Sequence, residues 1–140
     1  MSEIKVDTLT GKTSAGDITV TSEGGAATMQ LQQGLAKAWA GYNQTGTPAV
    51  DDSLNVASLT DTATGKTFVN FSSNMNNAGY SVSLTVAKWD STDDGNSTCA
   101  IGSTTVVRTT AGHPSTNAEA AVKGNYDTAN ICSTIHGDLA

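Results

Sequence analysis

The tripeptide Gly-Lys-Thr occurs twice in this chain, as "LTGKTSAG" around Gly11, Lys12 and Thr13 and as "ATGKTFVN" around Gly65, Lys66 and Thr67. A phosphate-binding loop needs more than this word. It requires a glycine five positions earlier, so that backbone amides wrap the phosphates, and a helix after the threonine. Val6 and Thr60 occupy the earlier positions, and "SAGDITV" and "FVNF" read as strands. Both words are therefore expected to be turns that feed strands, with glycine accommodating the turn backbone.

Other residue groups with chemical potential are weighed the same way. "DSTDDGNS" gathers Asp90, Asp93 and Asp94 ahead of Gly95 and overlays the first half of a calcium-binding hand. The twelfth position is Ile101 instead of a bidentate glutamate, so a solvated hairpin loop is the expectation and no metal is assigned. His113, His136, Cys99 and Cys132 match no zinc spacing. No serine lies in a G-x-S-x-G elbow, and no cofactor or catalytic residue is assigned. The two cysteines stand as small half-buried thiols or as a disulfide formed in an oxidising exterior. N-x-S/T words at Asn43, Asn70 and Asn96 count only in a eukaryotic secretory protein. Trp39, Tyr42, Tyr80 and Trp89 are core anchors in the first instance and stacking surfaces for sugars in the second.

The composition narrows the partners. With 7 basic against 13 acidic residues and a net charge of −6, the chain lacks the clustered cations that nucleic-acid binding uses. No stretch approaches the length of a membrane helix, and "MSEIKVDTLT" has no secretory pattern, which predicts synthesis in a cytosol. Ser and Thr make up about a quarter of the residues and aromatics only 5%, so a single copy buries a thin core.

Three segments follow from periodicity. Residues 1–27 hold two short alternating stretches, Ile4 with Val6 and Ile18 with Val20, expected as strands joined by a turn that lie against something else. Residues 28–42 place Leu31, Leu35, Ala38 and Tyr42 at spacings of four, three and four, with Trp39 beside the stripe. That spacing predicts an amphipathic helix, capped by Thr28 and stopped at Gly41, whose apolar face needs a partner, either the chain's own β domain or identical helices in an oligomer neck. Residues 43–140 alternate as strands and turns: "SLNVASL" with Leu54 and Val56 on one face, "KTFVNFS", "YSVSLTVAKW", "STCAIGSTTVVRTT" and "NICSTIHGDL". They predict a mainly β fold, an antiparallel sandwich or small barrel, with Pro48 and Pro114 in loops.

The words "EIKVDTLTGKTSAGDITV", "LQQGLAKAWAGYNQTGTPAVDDSLNVASLTDTATGKTFVNFSSNMNNAGYSV" and the closing "IHGDLA" resemble tail-fibre-like virion structural proteins of tailed bacteriophages, especially marine ones. The likeness is densest from Gly34 to Val82 and weakest from Lys88 to Asp127. It implies a homotrimer on the exterior of a virion, made in the host cytoplasm, with the N-terminus bound to another virion protein. The β domain would then meet a host-surface glycan or protein through the loops "DSTDDGNST" and "TAGHPSTNAEAAVKGNYD". Those loops supply Trp89, Asp90, Asp93, Asp94, Asn96, His113, Asn117 and Asn125 as candidate recognition residues. A capsid decoration protein, cement or head fibre, is the alternative. A glycan depolymerase is a third reading, which would need paired carboxylates across a groove where the chain has only its single acidic loop.

Overall fold

A computed structural model describes residues 3–14, 17–87, 97–101, 106–119 and 124–140. The chain divides into two units, Met1–Leu35 and Ala36–Ala140. The dividing point falls inside the stretch 28–42.

In the first unit, β1 (Thr19–Thr21) pairs antiparallel with β2 (Thr28–Gln30), and a single turn of helix, α1 (Leu31–Gly34), follows at once. The hairpin loop closes by Ser22 N donating to Ala27 O and Gly25 N donating to Ser22 O, with Gly25 at φ +70. Ile4 and Val6 are exposed and lie in no strand, so the expected pairing of 4–6 with 18–20 does not form. Not one described residue of this unit is buried.

The second unit holds the core. Its elements are β3 (Ala38–Asn43), β4 (Ala49–Leu54), β5 (Val56–Ala63), β6 (Lys66–Phe71), β7 (Ser81–Ala87), β8 (Ser97–Ala100), β9 (Gly112–Glu119), β10 (Gly124–Asn125) and β11 (Asn130–His136). One sheet has the order β4-β3-β11-β7. The other runs β10-β9-β6-β5, with β8 also on β9. All pairings are antiparallel, and the sheets are not closed into a barrel.

The predicted helix over 28–42 is corrected by this arrangement. Ala38 and Tyr42 are four apart, a spacing shared by one helical face and by alternate positions of a strand. Ala40 between them is buried as well, while Trp39, Gly41 and Asn43 are only half covered, and that is the period of two. Hydrogen bonding to β4 and β11 on both sides then selects the strand. Leu31 and Leu35 belong to the other unit, so no continuous Leu31–Tyr42 neck exists.

"SLNVASL" is likewise two strands. Asn55 separates β4 from β5 with φ +57, a left-handed conformation that asparagine tolerates better than most residues. Its side chain holds the corner: Nδ2 donates to Lys37 O and Ser73 O, each at 3.1 Å, and Oδ1 accepts from Ser73 N at 2.6 Å. The chain thereby passes from an edge of one sheet to an edge of the other.

β9 replaces an expected loop. Pro114 sits inside it, paired with Phe68 of β6, where the register with β8 already ends at Thr116. A proline is tolerated where only one edge of a strand is engaged.

Two buried clusters draw on both sheets. Ala38, Phe71, Met75, Tyr80 and Ile135 form one. Ala40, Tyr42, Val69 and Ile131 form the other, with Val56, Leu59, Val86 and Cys99 against it. At the apolar end the Tyr80 hydroxyl shares its one proton between Gly112 O at 2.6 Å and Thr109 O at 3.0 Å, and the Phe71 and Tyr80 rings meet edge to face at 5.7 Å. Burial pushes the Tyr80 phenol up to about 12, against the opposing effect of Arg108, whose guanidinium lies 5.6 Å from the ring centre.

Two glycines with the same backbone separate conformational from steric cost. Gly65 has φ +68 and Gly46 has φ +71, but a Cβ on Gly65 would lie 2.6 Å from Tyr126 N and 2.7 Å from Asn117 O, whereas one on Gly46 meets nothing. Gly46→Ala is expected to cost about 1 kcal/mol, and Gly65→Ala at least about 3 kcal/mol, because backbone cannot step aside cheaply. Urea denaturation of the two variants measures the difference.

Candidate functional site

The second Gly-Lys-Thr word is the tip of the β5–β6 hairpin. The Gly65 amide donates to the Asp127 carboxylate at 2.6 Å, and Gly65 O accepts from Asn117 N at 2.7 Å. The Gly65 N–H that a phosphate would use is thus engaged by a carboxylate of the chain itself, and Lys66 opens a strand where a phosphate loop needs a helix. The first word is a bend before β1, with Asp17 N donating to Ser14 O at 2.9 Å and Lys12 and Thr13 exposed. Two of the N-x-S/T asparagines serve local structure: Asn43 Oδ1 accepts from Thr45 N and Oγ1, and Asn70 Nδ2 donates to Ser58 O and Thr60 Oγ1. Asn96 lies outside the described residues.

The polar groups that the fold concentrates are internal. Alternate residues of β9 turn His113, Ser115 and Asn117 into the protein, all buried. β6 sets Val69 opposite His113 and Thr67 opposite Ser115. From β3 the Tyr42 hydroxyl crosses to donate to Ser115 Oγ at 2.6 Å, and Ser115 Oγ donates to Thr67 O at 3.4 Å. Gln44, just past β3, donates from Nε2 to Thr67 Oγ1 at 2.9 Å. The interior therefore grades from Phe71, Met75 and Tyr80 at one end to Gln44, Thr67 and Asn117 at the other.

This tier cannot work as a nucleophile and base. His113 and Ser115 share a face of β9, yet the serine bonds to Tyr42 and Thr67, and both residues are closed to solvent. His113 Nδ1 lies 3.2 Å from Pro114 O. A carbonyl only accepts, so Nδ1 carries the proton and Nε2 is the bare acceptor. Burial drives the histidine pKa down to about 4, with Arg108 adding to the fall and the Pro114 carbonyl opposing it. Burial also raises the Tyr42 phenol, which is kept as a neutral donor.

The structure redistributes the candidate recognition residues. His113 and Asn117 are inward-facing strand residues instead of loop contacts, and neither can touch a host surface. Asn125 is exposed in β10. Trp89, Asp90, Asp93, Asp94 and Asn96 lie outside the described residues. Of the neck candidates, Ala38 and Tyr42 are core, Trp39 is half-buried, Leu31 is half-buried in α1, and Leu35 is exposed at its end.

Cys99 and Cys132 are free, the first half-buried against the core and the second exposed on β11. Burial pushes the Cys99 thiol up to about 11. Among the described residues no group of three or more His, Cys, Asp or Glu could hold a metal, and no helix is long and apolar enough to cross a membrane.

Outside the core, the concentration of uncovered apolar side chains is in the first unit. Ile4 (85% exposed), Val6, Leu9, Val20, Met29 and Leu35 lie there, six of the eleven large exposed apolar residues described in the whole chain. Val20, Ala27 and Met29, with Ser22 and Thr28, line a hollow of about 140 Å³ on the hairpin. No protein-family model, curated protein or solved structure matches this chain.

The histidine makes stability depend on pH with a definite sign. Its folded pKa of about 4 lies below the ordinary 6.5, so the unfolded chain binds the proton more readily between those values. The contribution is complete above pH 6.5 and shrinks as the pH falls toward 4, by up to about 3 kcal/mol. Urea titrations from pH 7 to 4 should show a shallower loss in His113→Leu than in the natural chain; parallel curves would contradict the assignment. Tyr42→Phe takes from the buried Ser115 oxygen the proton it accepts and is expected to cost about 1–2 kcal/mol at pH 7 in the same measurement.

Proposed function

We propose that this chain is a non-enzymatic structural protein of a phage virion, a tail-fibre or spike component attached through residues 1–35 and carrying host recognition on its β unit. One observation carries the reading: among its described residues the first unit has none buried and holds six large exposed apolar side chains. A segment of that kind has no core of its own to stabilise it. Covering those side chains against another protein would gain roughly 25 cal/mol per Å² of apolar surface removed from water. The sequence resemblance gives that partner a character, another virion protein, and gives the assembly as a homotrimer.

The second unit suits a passive scaffold. Two antiparallel sheets contribute side chains to one core, which we read as a sandwich, and Tyr42, Ser115, Thr67 and Gln44 bond to one another inside it. Recognition then falls to the loops and to exposed positions such as Asn125. Trimer formation cannot use a Leu31–Tyr42 helix and is assigned to the uncovered first unit.

Deleting residues 1–35 tests the division of labour. The remaining chain is expected to keep its β circular dichroism and cooperative unfolding while failing to enter particles. Normal incorporation of the truncated chain would contradict the attachment role. Gold-labelled antibody against the β unit should mark tails or fibres on intact particles, and label spread over the shell would replace this reading with capsid decoration.

A further inference from the structure

The polar end of the core contains two amide side chains that are only half satisfied. Gln44 uses Nε2 on Thr67 Oγ1, and Asn117 uses Nδ2 on Tyr126 O at 3.3 Å. Among the described residues the other atom of each, Gln44 Oε1 and Asn117 Oδ1, is buried with no hydrogen-bond partner. Gln44 is 2% and Asn117 0% exposed, so bulk solvent does not serve them.

The two amides belong to one neighbourhood. Gln44 N donates to Thr128 O at 2.8 Å, and Asn117 O accepts from Tyr126 N at 3.4 Å, so both are tied to the same short segment two residues apart. They also flank one cross-strand pair, Gln44 through Thr67 and Asn117 two positions along β9 from Ser115. Ser115 is already engaged on both sides, donating to Thr67 O and accepting from Tyr42, and offers no proton to either amide.

A buried carbonyl oxygen left without a donor is costly, and the chemistry of the missing partner is specified by what it must provide. Both open atoms are acceptors, so the partner needs two donors at an angle and no charge. Among the described residues no carboxylate is buried, so a cation would bring in a charge that nothing compensates. We propose that an internal water molecule binds here, donating one O–H to Gln44 Oε1 and the other to Asn117 Oδ1, and that it is an integral part of the fold. Such waters hold two to four polar contacts and exchange slowly. The two amides that this water joins hold the Tyr126–Thr128 segment directly, Gln44 N on Thr128 O and Asn117 Nδ2 on Tyr126 O, beside the Asp127 carboxylate that accepts from the Gly65 amide. The inference is independent of the virion reading.

A high-resolution crystal structure of the full chain tests it. The expected result is a fully occupied water peak about 2.7–3.2 Å from both Gln44 Oε1 and Asn117 Oδ1. Either of two results overturns it: the two oxygens bonded to protein donors, or a peak whose short distances and added ligands identify a cation. In solution, oxygen-17 relaxation dispersion should count one fewer long-lived water in the Gln44→Met, Asn117→Leu double variant than in the natural chain. An unchanged count in a folded variant would also overturn the proposal, and the crystallographic arm stands if the variant does not fold.

Discussion

The hydrogen bond from Tyr42 to Ser115 joins the two sheets through the middle of the core, and much of the structure is arranged around it. A strand with His113, Ser115 and Asn117 on its inner face cannot be buried by apolar packing alone, since each polar atom taken from water must find a partner. Tyr42 supplies one, Thr67 a second, and the hairpin tip at Gly65 a third through its carbonyl. These bonds also fix alignment. A slip of β9 by one residue against β6 would turn the polar row outward and take Ser115 away from Tyr42.

The same constraint explains why the core is graded instead of uniform. Phe71, Met75 and Tyr80 close one end by dispersion and ring contact, and Tyr80 adds hydrogen bonds that hold the segment at 109–112. At the other end the small hydroxyls and amides fill the space. A chain with 5% aromatic residues and many threonines can complete an interior this way without more apolar mass, provided the polar groups are matched. The first unit has neither device. Its hairpin carries backbone pairing and exposed Val20 and Met29, so its stability must come from whatever it covers.

The β character was legible because strands such as Ser81–Ala87 alternate apolar and polar residues, and Gly65 could be read as a turn from the residues missing around it. The helix was misread for a physical reason: Ala38 and Tyr42 satisfy both periodicities, and the deciding residue, Ala40, is too small to announce which face it belongs to. β9 was invisible because "GHPSTNAE" has a proline and no large apolar side chain. Its burial depends on partners as distant in sequence as Tyr42, 73 residues away from Ser115. Asn55 was equally hidden, since only the pairing of β4 and β5 in different sheets makes the left-handed corner necessary. The polar tier has one sequence signal, His113, Ser115 and Asn117 at alternate positions, and such a run fits a polar loop as well as a buried strand.

Native-state hydrogen exchange of the isolated full chain tests the central claim most directly, that the buried core lies within residues 36–140 and that the described residues of 1–35 add nothing to it. The account predicts amides of β3, β6, β9 and β11 exchanging only by global unfolding, with β9 as protected as its apolar neighbours, and amides of 3–35 exchanging at nearly free rates. Fast exchange across β9, or protection in 3–35 equal to that of the core strands, would contradict it.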